Sequence, residues 1–97
     1  MIAPEEVEQC LMSHPSVDDA AIIGIQDVTW GERVRAICVL RKNQEKPSEK
    51  DLIEYCRQRI SSFKKPESII WVSELPRNQM GKVLKNELRE KHSQAIE

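Results

Sequence analysis

Apolar residues run at helical spacing, then continuously, then at helical spacing again, and each change of pattern marks an element. Pro4 suits a first helical turn, and Glu5 and Glu6 suit the positive start of a helix. Val7, Cys10 and Leu11 then recur at three-to-four spacing, which predicts a short amphipathic helix over 4–13, ended by His14-Pro15. Residues 19–26, DAAIIGIQ, form an isoleucine-rich run that suits a buried strand. DVTWG at 27–31 reads as a connection. ERVRAICVLR at 32–41 alternates at first and then turns wholly apolar, a second strand able to pair with the first as an antiparallel hairpin. After a polar loop at 42–47, Ser48 with Asp51 approximates a capping box, and Leu52, Ile53, Cys56 and Ile60 mark one face of a helix over 49–61. A break at Ser61–Pro66, a third strand at 68–73, a loop at 76–81 and a terminal helix over 83–92 on Val83, Leu84 and Leu88 complete the order. The tail from Ser93 should fray. This order predicts an α+β fold, a small, mainly antiparallel three-stranded sheet packed with about three helices.

Ninety-seven residues form one small domain, and a net charge of −1 gives no global pull towards nucleic acid or anionic lipid. No apolar run approaches the roughly 20 residues of a membrane helix. The opening MIAPEEVEQC lacks a basic start and an apolar core, so it does not read as a signal peptide, and the default expectation is a cytoplasmic address. Cys10, Cys38 and Cys56 are widely spaced, without a C-x-x-C, and read as reduced core residues rather than zinc ligands or disulfide partners. No metal site is expected in the acidic cluster Glu5, Glu6 and Glu8. With only Gly24, Gly31 and Gly81, the chain has neither G-x-x-x-x-G-K-[ST] nor G-x-G-x-x-G, so it does not look able to cradle a nucleotide's phosphates alone. There is no G-x-S-x-G elbow either. These residues describe a module that contributes one or two groups to a site built elsewhere.

The stretch most able to carry chemistry is PRNQMGKVLK at 76–85. Gly81 can take backbone angles closed to other residues, and Lys82 beside it can be aimed. Its target could be substrate, nucleic acid or plain solvent. A nucleic-acid grip would use Arg77, Lys82, Lys85 and Arg89, but Glu87 and Glu90 dilute that patch, and one Tyr and one Phe offer little for bases to stack on. A stand-alone regulatory module without catalysis is the remaining alternative. Lys85 reads as a surface lysine, Trp71 as core, Trp30 as a half-buried loop anchor and Lys64-Lys65 as a solvated turn.

Five pieces in order resemble the C-terminal subdomain of the adenylate-forming enzymes, a family of acyl-CoA synthetases, peptide-synthetase adenylation domains and luciferases. IAPEEVE looks like the end of the family's eighth core motif. HPSVDDAAIIGIQD looks like its H-P-x-V-x-x-A-A-V-V-G-x-P-D stretch, with Gln26 where proline is usual. WGERVRAICVL looks like the strand that follows, and SSFKKP like L-A-x-Y-K-x-P. ELPRNQMGKVLK looks like the tenth core motif, L-P-[KR]-[TN]-x-x-G-K-[IV]-x-[RK]. The resemblance covers nearly all of residues 1–97 and leans towards acyl-CoA synthetases.

The resemblance implies a mobile C-terminal catalytic subdomain of an ATP-dependent, AMP-forming ligase that joins a fatty or other carboxylic acid to coenzyme A. It implies that Lys82 reaches into the active site of a large N-terminal domain during adenylation, and that Gly81 positions the loop. Arg57 falls where some members place an arginine against coenzyme A's phosphates, and a solvated helix face is the other reading of it. ATP, with Mg2+, and coenzyme A would be substrates of the full enzyme, none bound by this subdomain alone. No nucleic acid and no membrane span are implied. The large domain's phosphate loop and ribose-binding aspartate are missing, so the isolated chain is expected to be inactive. Its abrupt start inside a motif favours a fragment over a free-standing subunit. The reading requires that Lys82 not be locked in a permanent internal ion pair.

Overall fold

The computed structural model describes residues 4–27, 31–60 and 68–92. The readings of Trp30, of the break at 61–66 with Lys64-Lys65, and of the tail from Ser93 lie outside the described residues. Six elements follow in order: α1 (Pro4–Met12), β1 (Val17–Asp27), β2 (Gly31–Leu40), α2 (Glu49–Arg57), β3 (Ser68–Val72) and α3 (Lys85–His92). The fold is α+β as expected, with one three-stranded sheet in the order β1-β2-β3.

β1 and β2 pair antiparallel from Val17↔Leu40 to Asp27↔Gly31. β3 joins the other edge of β2 in parallel, Arg35↔Ser68 to Val39↔Val72. A parallel neighbour needs a crossover, and the segment between β2 and β3 that carries α2 supplies it.

The strands are apolar on both faces because both faces are covered. On one face Val17, Ala20, Ile22, Ala36, Cys38 and Ile69 pack with Val7 and Leu11 of α1 and with Leu52 and Cys56 of α2. On the other, Ala21, Ile23, Ile25, Ile37 and Val39 pack with Leu75 and with Leu88 of α3. Alternation alone would put Val17 with Ala21 and Ile23. The register shift between Val17 and Asp19 inserts an extra residue and turns Val17 to the opposite face.

Local chemistry sets the helix ends. Ser48 caps α2, its Oγ accepting from the Asp51 amide at 3.1 Å, the bond the capping pattern predicts. The terminal helix starts at Lys85 rather than at residue 83. Val83 instead bridges to Arg77, and the Leu84 amide donates to the Pro76 carbonyl at 2.8 Å, closing the base of the loop. The far end of α3 is held by Arg35, a buried arginine on β2 that donates to the His92 carbonyl and, at 2.8 Å, to Ser68 Oγ. Cys38 and Cys56 are buried free thiols and Cys10 is half-buried, all within or against the core under α1 and α2. Trp71 is half-buried at the margin of that core, with the Lys46 ammonium 5.9 Å from its ring centroid. Among the described residues, no helix is long and apolar enough to cross a membrane.

Candidate functional site

The loop between β3 and α3 starts at a buried anchor, Leu75, and is held by its own polar groups. Asn78 donates its backbone amide to the Lys82 carbonyl at 2.9 Å and accepts the Gly81 amide on its own carbonyl at 3.0 Å. Its side-chain Oδ1 accepts from the amides of Met80 at 2.9 Å and Lys82 at 3.0 Å. This ring forces Gly81 to φ 86°, the left-handed region where glycine carries no steric penalty. A Cβ built there would meet nothing within 4 Å, so backbone conformation rather than lack of space calls for glycine.

Arg77 ties the loop to the sheet. Its Nη1 donates to the Gly81 carbonyl at 2.5 Å, and its Nη2 meets Asp19 Oδ2 at 2.6 Å. Asp19 stands at the bulge of β1, so the irregular end of the edge strand becomes the loop's mooring. A second tether lies at the start of α3. Lys85 Nζ sits 2.8 Å from Glu8 Oε2, and the same oxygen accepts the Ile22 amide at 2.7 Å. Glu8 thus joins α1, the open edge of β1 and α3.

These contacts leave a cleft of about 550 Å3 lined by Glu5, Glu8, Lys82, Val83, Leu84, Lys85 and Asn86. Two lysines face it, and they differ. Lys85 is half-buried and paired with Glu8, not the surface lysine expected of it. Lys82 is exposed, and its ammonium makes no ion pair with any described residue. A cation rooted in a fixed backbone and open to solvent is equipped to meet an anion supplied from outside.

Arg57 is not brought to this cleft. It ends α2, the helix packed on the α1 face of the sheet, with its side chain 65% exposed. Its guanidinium forks onto Glu54, Nε to Oε2 at 2.8 Å and Nη2 to Oε1 at 2.6 Å. Those hydrogen bonds hold the Glu54 carboxyl below the usual carboxylate range. Of the four basic groups weighed for nucleic acid, Arg77 and Lys85 are ion-paired within the fold and Arg89 bonds Asn86 at 2.9 Å. A continuous free basic patch is therefore not formed by them. Among the described residues, no group of three or more His, Cys, Asp or Glu is arranged to hold a metal ion.

The sequence singles out Lys82 and Gly81 on this loop, but not Asn78, Arg77–Asp19 or Glu8–Lys85, which hold it in place. The signal for Asn78 was present, since asparagine commonly bonds backbone amides two residues on. The two ion pairs join residues distant in sequence and carry no local signature.

The chain belongs to the family of the AMP-binding enzyme C-terminal domain, whose model matches residues 6–82. It is 38% identical over 95 residues to the long-chain-fatty-acid–CoA ligase FadD13 of Mycobacterium tuberculosis, covering 98% of this chain and 18% of that ligase. It is 45% identical over 83 residues to the mitochondrial malonate–CoA ligase ACSF3 of Mus musculus, covering 86% of this chain and 14% of that protein. Among solved structures, an acyl-CoA synthetase of Brucella canis superposes with a TM-score of 0.84 at 32% identity, over 93% of this chain and 17% of the other. The greater part of each of these relatives lies outside the match.

Proposed function

We propose that this chain, residues 1–97, is the mobile C-terminal catalytic subdomain of an ATP-dependent, AMP-forming acyl-CoA synthetase, and that Lys82 supplies a cation for its adenylation step. The observation that carries the reading is the exposed Lys82 ammonium, unpaired among the described residues, on a loop whose backbone is pinned on both sides of it. The relatives are named as acid–CoA ligases, and this chain matches them over the segment that contains Lys82.

In the first half-reaction a carboxylate oxygen attacks the α-phosphorus of ATP. An O–P bond forms, the bond to the bridging oxygen breaks, and the electron pair leaves with pyrophosphate. Two anions must approach each other, and charge moves onto the leaving group. A lysine ammonium at that point is favoured more by the transition state than by the separated reactants, and it transfers no proton. Gly81 lets the chain turn so that Lys82 leads into the large N-terminal domain. In the second half-reaction the thiol of coenzyme A loses its proton to solvent, its sulfur bonds the acyl carbon, and the acyl C–O bond breaks with its electron pair leaving on AMP. Mg2+ would enter with ATP. Arg57 is a second contact in this reading, to coenzyme A's phosphates, and a phosphate there must share or displace Glu54. The cytoplasm is kept as the location; some relatives are named as mitochondrial, and cell fractionation decides between the two.

The test is reconstitution with a matching large domain. Acid-dependent pyrophosphate release, then thioester formation with coenzyme A, should require both parts. Release by the large domain that is not raised by this chain would overturn the proposal.

A further inference from the structure

Lys82's backbone N–H and carbonyl are both bonded to one residue. The amide donates to Asn78 Oδ1 at 3.0 Å, and the carbonyl accepts from the Asn78 amide at 2.9 Å. The same Oδ1 accepts the amide of Met80, which is 93% exposed at the loop's tip. The Asn78 carbonyl accepts the Gly81 amide. Four hydrogen bonds, two to the Asn78 side chain and one each to its backbone N–H and carbonyl, thus define the loop from 78 to 82.

We propose that Asn78 is a positioning residue that presets the root of the Lys82 side chain before the loop meets its partner domain. This rests on the adenylation role given to Lys82 above. A lysine stem is flexible, so only its point of departure can be fixed in advance, and fixing it lowers the cost of ordering at the moment of docking. The residue type fits the task. A carboxylate in that place would draw the Lys82 ammonium onto itself and repel incoming phosphates. A neutral amide oxygen accepts the two backbone amides and does neither. A hydroxyl accepts similar bonds more weakly. Arg77, spanning Gly81 and Asp19, holds the whole ring against the sheet, so the preset loop keeps its orientation to the domain.

The experiment uses Asn78→Ala and Asn78→Thr, first in the 97-residue chain and then in the assembled two-domain enzyme. In the chain, NMR-detected amide exchange at Met80 and Lys82 should quicken about tenfold with alanine and recover in part with threonine. Exchange at Ile23 and Ile37 should stay unchanged, and if alanine disturbs these core amides the threonine variant carries the comparison. In the enzyme, kcat of adenylation should fall about tenfold with little change in the KM for ATP. Thioester formation from pre-made acyl-adenylate should be unaltered. Unchanged exchange at both loop amides overturns the proposal. So does faster exchange with undiminished adenylation, or equal loss in both half-reactions. A harmless Lys82→Ala would instead remove the reading on which the proposal rests, so the two failures are distinguishable.

Discussion

Replacing Glu8 with alanine removes one carboxylate oxygen that serves three elements. Oε2 accepts the Ile22 amide at 2.7 Å on the open edge of β1 and the Lys85 ammonium at 2.8 Å at the start of α3. Losing the acceptor leaves a partly buried backbone amide without its partner, at a cost of about 1–2 kcal/mol. The ion pair adds roughly 1 kcal/mol, because side-chain exposures of 14% for Glu8 and 29% for Lys85 screen it less than a surface pair. The sum is about 2–3 kcal/mol, which for a domain this size lowers Tm by about 10–20 °C. Glu8→Gln keeps an oxygen for Ile22 and loses only the ionic part, about 1 kcal/mol. Urea unfolding followed by circular dichroism measures both, and a cycle with Lys85→Met isolates the pair, with an expected coupling of about 1 kcal/mol. Glu8→Ala within about 0.5 kcal/mol of the parent would refute the clamp. Additive effects in the cycle would refute the part assigned to Lys85.

Two further outcomes follow from the geometry. Arg57→Ala in an assembled enzyme should raise the KM for coenzyme A several-fold and leave adenylation unchanged; an unchanged KM would assign Arg57 to the solvated face of α2, paired with Glu54. Burial, and secondarily the charge of Asp19, pushes the Cys38 thiol from 9.0 up to about 12. Above pH 9 the unfolded chain sheds a proton that the folded chain keeps, so the contribution of Cys38 to stability falls as pH rises from 9 towards 12. Denaturation across that range should show a shallower decline in Cys38→Ala than in the parent, and parallel slopes would contradict the assignment.

Most of the architecture was legible because the strands are apolar on both faces. Ala20–Ile25 and Ala36–Val39 must be covered twice, and the helical patterns around them supply the covers. The parallel pairing of β3 was not legible, because nothing in SIIWV says which edge of which strand it meets. The bulge at the start of β1 was hidden for a similar reason: an extra residue shows only against a partner strand. At the site, Lys82 stood out through the resemblance of its motif, since composition alone leaves a loop lysine unremarked. Lys85 was misread as a surface residue because its charge looked ordinary until Glu8 was placed beside it. Arg35, charged and yet buried, was unreadable without the helix end it holds.

The most direct test of the account separates the two half-reactions with one substitution. Lys82→Ala, in the chain assembled with a matching large domain, is compared with the parent for pyrophosphate release and for thioester formation from pre-made acyl-adenylate. Pyrophosphate release should fall on the order of 100–1000-fold, with little change in thioester formation. Equal loss in both, or none in the first, would contradict it.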